Sequence, residues 1–323
     1  MIPIRDTIGS KNYPIVNSVI IGFNILLYLV QMAQGDHLHR FIYIYGLVPA
    51  RYTVPTIADY FTLKQQIFSL ISFMFLHGGF WHLLSNMWFL YIFGDNVEDR
   101  LGHLRYLLFY LLCGLASGLC HLLVNFDSPT PTIGASGAIA GVMGAYFILH
   151  PGARILTLIP ILIIPWFVEI PAFFFLGFWF FIQFVNAVGT PGEITGIAWW
   201  AHIGGFVSGI LFMKAFGKIP SAAFGERMRQ ATLKKTSPRL QVVYPTTREN
   251  DLDRYGTILI TPHEALHGTH KLINISWGFQ KRLFRVSVPA GTKDGSMLRL
   301  KGMGRQSNGG ESGDMYLKVK ISG

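Results

Sequence analysis

Charge is scarce in this chain. Only 14% of its 323 residues are Asp, Glu, Lys or Arg, while 51% are hydrophobic and the mean hydropathy is +0.40. Soluble domains carry about a quarter charged residues, so the composition excludes an ordinary soluble protein of this length and indicates several membrane crossings. Cysteine is nearly absent. Cys113 and Cys120 are the two present, on one face of a single hydrophobic run, where buried packing suits them better than a bridge or a metal site. Acidic residues number 17 against 27 Lys and Arg, a formal +10. Much of that excess lies directly after the last hydrophobic run, as Lys214, Lys218, Arg227, Arg229, Lys234, Lys235 and Arg239 against Glu226. Anionic lipid headgroups, not nucleic acid, are the partner such a stretch fits.

A helix needs about 20 apolar residues to cross a bilayer. Six runs are candidates: 14–33, 79–94, 104–125, 135–150, 171–188 and 198–217. The second and fourth are short, but small and polar residues are tolerated where helices face each other instead of lipid. Before the fifth lies "ILTLIPILIIPWFVEIP", whose Pro160, Pro165 and Pro171 argue against one straight helix over 155–188. It is expected to be a connecting segment at the membrane interface. Past Phe216 the chain turns polar, basic and strand-like. The expected division is a membrane domain at 1–217, a basic juxtamembrane linker at 218–254 and a β-domain at 255–323.

Lys and Arg concentrate in cytoplasmic loops. They are missing from "FDSPTPTIG" and "GTPGEITGI" and present beside the opposite helix ends as Arg5, Lys11, Arg100, Arg105 and Arg154. The expected topology is six spans with both termini cytoplasmic. The long first loop, with Arg40, Arg51 and Lys64 against Asp36 and Asp59, is ambiguous by this rule.

Polar groups inside a membrane are costly, which makes them functional candidates. In "TIGASGAIAGVMGAY", Ser136, Ala140 and Gly144 form a small-residue stripe at i, i+4 and i+8 while Gly137, Gly141 and Gly144 flatten the neighbouring face, so another helix can come close. The matching surface is "WWAHIGGFVSGIL", where His202, Gly205 and Gly209 recur at i, i+3 and i+7. Packing these faces brings an imidazole to a hydroxyl, and a serine becomes a useful nucleophile when a base takes its proton. Attack on an amide creates an oxyanion that needs donors. "FWHLLSNMWF" sets His82 and Asn86 side by side at i and i+4, and the Ser136 backbone N–H at a helix start adds a third donor. A polar pair joining two helices is the other reading of His82 and Asn86. His77 suits a structural place at the helix entry. No acidic residue is well placed to complete a triad; Glu193, nine residues before His202, stays open, and a Ser–His dyad is the economical arrangement.

These motifs together, "GASG" with Ser136 and its flanking Gly134 and Gly137, "AHIGG" with His202, the His82/Asn86 pair and a "VEDRLG" turn at 97–102, resemble the rhomboid family of intramembrane serine proteases. The likeness runs over roughly 1–217. It implies a six-helix bundle, a Ser136/His202 dyad, an oxyanion site involving His82 and Asn86, no cofactor, and transmembrane protein substrates cut near the outer membrane face. Residues 255–323, with "FRVSVPAGTKDGSMLRLKGMGRQSNGGESGDMYLKVKIS", resemble the peptide-binding C-terminal β-domain of DnaJ-type co-chaperones. Strands at 284–288, Met297–Leu300 and Met315–Ile321 separated by Gly-rich turns argue independently for a small β-sandwich. The HPD tripeptide and Cys-x-x-Cys repeats are missing, so the resemblance implies a tethered peptide- or partner-binding module and does not extend to recruitment of an Hsp70-type ATPase. The fold class expected is thus an α-helical membrane bundle followed by a small all-β sandwich.

Two other functions compete. A catalytically silent adaptor would use the bundle to hold client helices and the β-domain to hold peptides. "HEALH" fits the zinc protease pattern through His263, Glu264 and His267, but Pro262 and Gly268 leave it too short a helix and no suitable downstream helix exists for the third ligand.

Overall fold

The computed structural model describes residues 1–161, 164–189, 197–218, 225, 228–229, 231–233, 240–247, 252–277, 280–305 and 312–321. They divide into two units, Met1–Leu233 and Lys234–Gly323.

The first unit begins with strand β1 (Ile2–Asp6) and helix α1 (Ile15–Met32). The long first loop then folds into α2 (Leu38–Tyr45), the single turn α3 (Pro55–Ala58) and α4 (Leu63–Ser72). After it come α5 (Phe80–Leu101), α6 (His103–Val124), α7 (Ser136–Leu149), strands β2 (Arg154–Ile161) and β3 (Ile164–Pro171), α8 (Ala172–Gly189) and α9 (Trp199–Phe216). All six hydrophobic runs are therefore helical. Among the described residues, α1, α6 and α8 are long and apolar enough to cross a bilayer, and α4 with α5, bent by 76°, makes a fourth if the two are one span. In the first loop Arg51 is fully buried, its guanidinium 3.8 Å from the Phe61 ring centroid and donating to the carbonyls of Ile44 and Tyr43. A cation spent on internal packing does not report loop charge.

The central helix is α7. Every residue from Gly137 to Tyr146 is buried, because its small side chains leave the surrounding space to α5, α6 and α9. Phe93, Tyr106, Phe109, Tyr110, Met143 and Tyr146 form the fully buried heart of this core.

Two segments differ from the sequence reading. The apolar run at 79–94 continues as helix through "VEDRL" to Leu101, and the turn is confined to Gly102, with φ +80°. Charged residues persist in that helix because they cap its neighbour. Glu98 carboxylate oxygens accept the backbone N–H groups of Val16 (3.0 Å) and Asn17 (2.8 Å), and Asp99 accepts those of Lys11 (3.1 Å) and Asn12 (3.0 Å). The orphan donors at the start of α1 are thus met from another helix.

The proline-rich connector is a β-hairpin. Strands β2 and β3 pair antiparallel, and β1 from the N-terminus adds a third strand, in the order β1-β2-β3. The prolines fit because β1 reaches β2 only as far as Leu158, while Pro160 lies beyond it and opposite Pro165 on the edge strand. Proline, lacking an N–H, is tolerated at such places.

The described residues of the second unit form two three-stranded sheets. Strands β4 (Leu240–Val243), β6 (Thr269–Trp277) and β7 (Gln280–Val288) form one, in the order β4-β6-β7; β5 (Arg254–Ile260), β9 (Met315–Ile321) and β8 (Met297–Leu300) form the other, in the order β5-β9-β8. They share one core of Ile258, Ile260, Ile273, Ile275, Val286, Val288, Leu317 and Val319, the sandwich expected from the alternation. The "HEALH" stretch lies in a helix of only six residues, α10 (Pro262–His267). Its Glu264 is committed elsewhere: one carboxylate oxygen accepts the Thr261 backbone N–H at 3.0 Å in a capping box and the other accepts the buried Lys271 ammonium at 2.6 Å. His263 and His267 stack on each other.

Candidate active site

Three helices of the first unit begin at one place. Ser136 is the first residue of α7, His82 the third of α5 and His202 the fourth of α9. They line a cavity of about 720 Å³ together with Asn86, His121 and Trp179.

Close packing of backbones sets their distance. The Cα of Gly205 faces Gly137 so tightly that a methyl group there would lie 2.1 Å from the Gly137 carbonyl oxygen, and one at Gly209 would lie 2.0 Å from that of Gly141. Gly144 faces the Phe206 carbonyl in the same way, at 2.2 Å. Helices α7 and α9 thus meet backbone to backbone, as the small-residue stripes predict. Gly137 and Gly141, however, open on a different side. A methyl group at either would strike α6, at Ser117 Oγ (2.1 Å) or Cys113 Cβ (2.5 Å). These two glycines admit α6 on that side while their backbone meets α9 on the other. Both cysteines are free thiols packed against glycines, Cys113 on Gly141 and Cys120 on Gly204.

This packing places His202 Nε2 2.8 Å from Ser136 Oγ. The other ring nitrogen, Nδ1, is 2.7 Å from the side-chain carbonyl oxygen of Gln183 on α8. Trp179, one turn before Gln183, lies 5.8 Å from the His202 ring, and Trp199 meets it edge-on at 6.2 Å. A carbonyl can only accept, so Nδ1 carries the proton and the Nε2 lone pair faces the serine hydroxyl. That is the protonation state a general base requires.

On the opposite side of Ser136, Gly134 has φ +132°, a conformation open to glycine, and its N–H is bonded to the Phe73 carbonyl at 2.9 Å. A methyl group on Gly134 would lie 2.9 Å from His82 Nε2 and 3.6 Å from Ser136 Oγ, which puts that imidazole edge beside the serine. His82 Nδ1 accepts the Gly78 backbone N–H at 3.3 Å, leaving Nε2 as the donor aimed into this corner. The Asn86 side chain donates one N–H to the His82 carbonyl at 2.8 Å. It lines the cavity, but part of its donor capacity is spent on its own helix. His77 is buried behind His82, ring to ring at 5.2 Å, with its backbone N–H and carbonyl both bonded to the Gln31 amide of α1.

Gln183 is the residue the sequence reading missed. The signal was present, since it and Asn186 are the polar side chains of the α8 run "AFFFLGFWFFIQFVNAVG", and such residues are functional candidates. Asn186 points outward and bonds its own helix. Glu193 lies outside the described residues.

The rhomboid domain family model matches residues 64–219, a range that contains Ser136, His202, His82 and Asn86. The helical unit contains a rhomboid domain. This rhomboid region is 32% identical over 158 residues to Rhomboid protein 1, mitochondrial, of Saccharomyces cerevisiae, covering 48% of this chain and 42% of that protein. It is 32% identical over 171 residues to Rhomboid protease GluP of Bacillus subtilis, covering 51% of this chain and 29% of that protein. The DnaJ C terminal domain model matches residues 255–323. A DnaJ-like protein of Synechocystis sp. is 36% identical over 70 residues, covering 22% of this chain and 20% of its own length. The chain thus spans less than half of each of these relatives.

Proposed function

We propose that this rhomboid chain is an intramembrane serine endopeptidase that cuts transmembrane segments of other proteins near the outer membrane face. The observation that carries the reading is the 2.8 Å hydrogen bond from Ser136 to His202 Nε2 inside an apolar helical unit. Nε2 takes the Ser136 proton as Oγ attacks the scissile carbonyl, then returns it to the departing amine. Water deacylates the serine by the same route in reverse. The oxyanion forms beside Gly134, within reach of the His82 Nε2–H and the Ser136 backbone N–H, which has no acceptor inside its own helix.

The length of α7 supports a recessed site that still receives water. Its 14 residues extend roughly 21 Å at 1.5 Å per residue, less than the ~30 Å hydrocarbon core. A central helix that short starts below the membrane surface, and the cavity above Ser136 supplies the water that hydrolysis needs.

His82→Ala is expected to lower turnover of a fluorogenic transmembrane substrate about 100-fold, and Asn86→Ala less, each with little change in KM, since an oxyanion donor acts mainly on the transition state. Unchanged turnover in His82→Ala would make that histidine structural.

The distribution of Lys and Arg supports six spans with both termini in the cytoplasm. The DnaJ-like module is then cytoplasmic and acts by tethering a peptide or partner. Thr232 is bonded to Asn12 (3.1 Å) and His103 (2.8 Å) in the first unit, so a truncation that leaves the bundle intact ends after Leu233. Such a truncation is expected to retain wild-type cleavage of a tailless model helix and to lose activity on substrates whose cytoplasmic tail the module holds. Equal losses on both would mean that the module supports the fold.

A further inference from the structure

The His202 imidazole is held from both sides, Nε2 by Ser136 and Nδ1 by Gln183. We infer that Gln183 is a positioning residue for the base: its side-chain carbonyl fixes the proton on Nδ1 and thereby presents the Nε2 lone pair to Ser136. This rests on the serine-protease reading above and deepens it.

The orientation of the amide is determined by its own second bond. Gln183 Nε2 donates to the Trp179 carbonyl one helical turn back, at 3.3 Å. Reversing the amide would set its oxygen against that carbonyl and its NH₂ against Nδ1, losing an acceptor for the imidazole and creating a repulsion. The two bonds are unequal. The contact to His202 is 2.7 Å, close to ideal, whereas the one to Trp179 is long. A glutamine that merely satisfied itself on its own helix would show the reverse.

Its surroundings point the same way. Gln183 is 5% exposed, on a helix whose Phe174, Phe178 and Phe181 face outward. Burying a polar side chain among apolar ones costs free energy unless each group finds a partner, and here the partner is the base. A carboxylate at this place would hold the same proton but add a desolvated negative charge. A glutamine supplies the acceptor without the charge, which explains why no suitably placed acidic residue was found in the sequence. Among the described residues the hydrogen bonds to the His202 ring come from Ser136 and Gln183.

The test compares Gln183→Met, Gln183→Asn and Gln183→Glu with wild type, as full-length protein in bilayers on a transmembrane model substrate, with Ser136→Ala in parallel. Methionine keeps the length without the carbonyl, asparagine keeps the amide but falls short of Nδ1, and glutamate keeps an acceptor in place. Met and Asn are expected to lower kcat about 10- to 1,000-fold, with KM within about twofold and the melting temperature unchanged. Glu is expected to recover most of the loss. Wild-type kcat in the Met or Asn variant would overturn the inference. So would equal losses in all three, or a loss carried by KM or by thermal stability, since each describes a structural glutamine. Activity in Ser136→Ala would instead refute the serine reading itself, so the two failures are distinguishable.

Discussion

Ser136→Ala is expected to reduce cleavage of a transmembrane substrate by about 10⁴-fold or more while leaving the melting temperature of the protein unchanged. The substitution deletes one oxygen whose hydrogen bond goes to His202. His202 keeps its Gln183 bond, and the backbone of α7 keeps its packing against α9. What disappears is the proposed nucleophile. His202→Ala is expected to be as damaging, because an unassisted serine hydroxyl is a poor nucleophile. The double variant should be no worse than either single one, since the two groups act as a unit. Turnover by purified enzymes in bilayers checks all three. A double variant much slower than both singles would mean that the serine and histidine act independently.

Gly205→Val is expected to abolish cleavage through geometry. The first carbon of the new side chain would lie 2.1 Å from the Gly137 carbonyl oxygen, and backbone cannot move aside as a flexible side chain can. Helices α7 and α9 must separate, and a base displaced by about 1 Å can cost 100-fold in rate. Overpacking of this kind also destabilises by about 1–3 kcal/mol, so the melting temperature should fall with the activity. Gly137→Val should be equally harmful by a different route, against Ser117 of α6. Gly22→Ala on α1 is the control, since nothing lies within 4 Å of the added methyl group. Wild-type cleavage by Gly205→Val would mean that the two helices do not meet at this point in the membrane.

Much of this was legible in the sequence, because hydrophobic runs and small-residue stripes are local signals. The six helices, the Gly205/Gly209 face and strands Met297–Leu300 and Met315–Ile321 follow from them. The meeting of Ser136 and His202 could be read because a polar residue stood at the head of each packing face. The rest depended on partners far apart in the chain. Prolines ruled out a helix before α8, but only the pairing of Ile2 with Leu158 and of Leu158 with Phe167 shows a three-stranded sheet. Glu98 and Asp99 read as a turn because their partners, the N–H groups of Lys11 and Asn12 before α1 and of Val16 and Asn17 in its first turn, lie more than 80 residues away. Gln183 shares no motif with His202; it reaches Nδ1 because α8 packs beside α9.

The most direct measurement is covalent labelling of the full-length protein in bilayers with a fluorophosphonate probe, followed by mass spectrometric location of the adduct. Such probes react with a serine whose proton a neighbouring base accepts. The expected result is one adduct on Ser136, formed in step with loss of cleavage and abolished in His202→Ala. Continued cleavage by a protein fully labelled at Ser136, or an adduct on a different serine that abolishes activity, would contradict the Ser136/His202 mechanism.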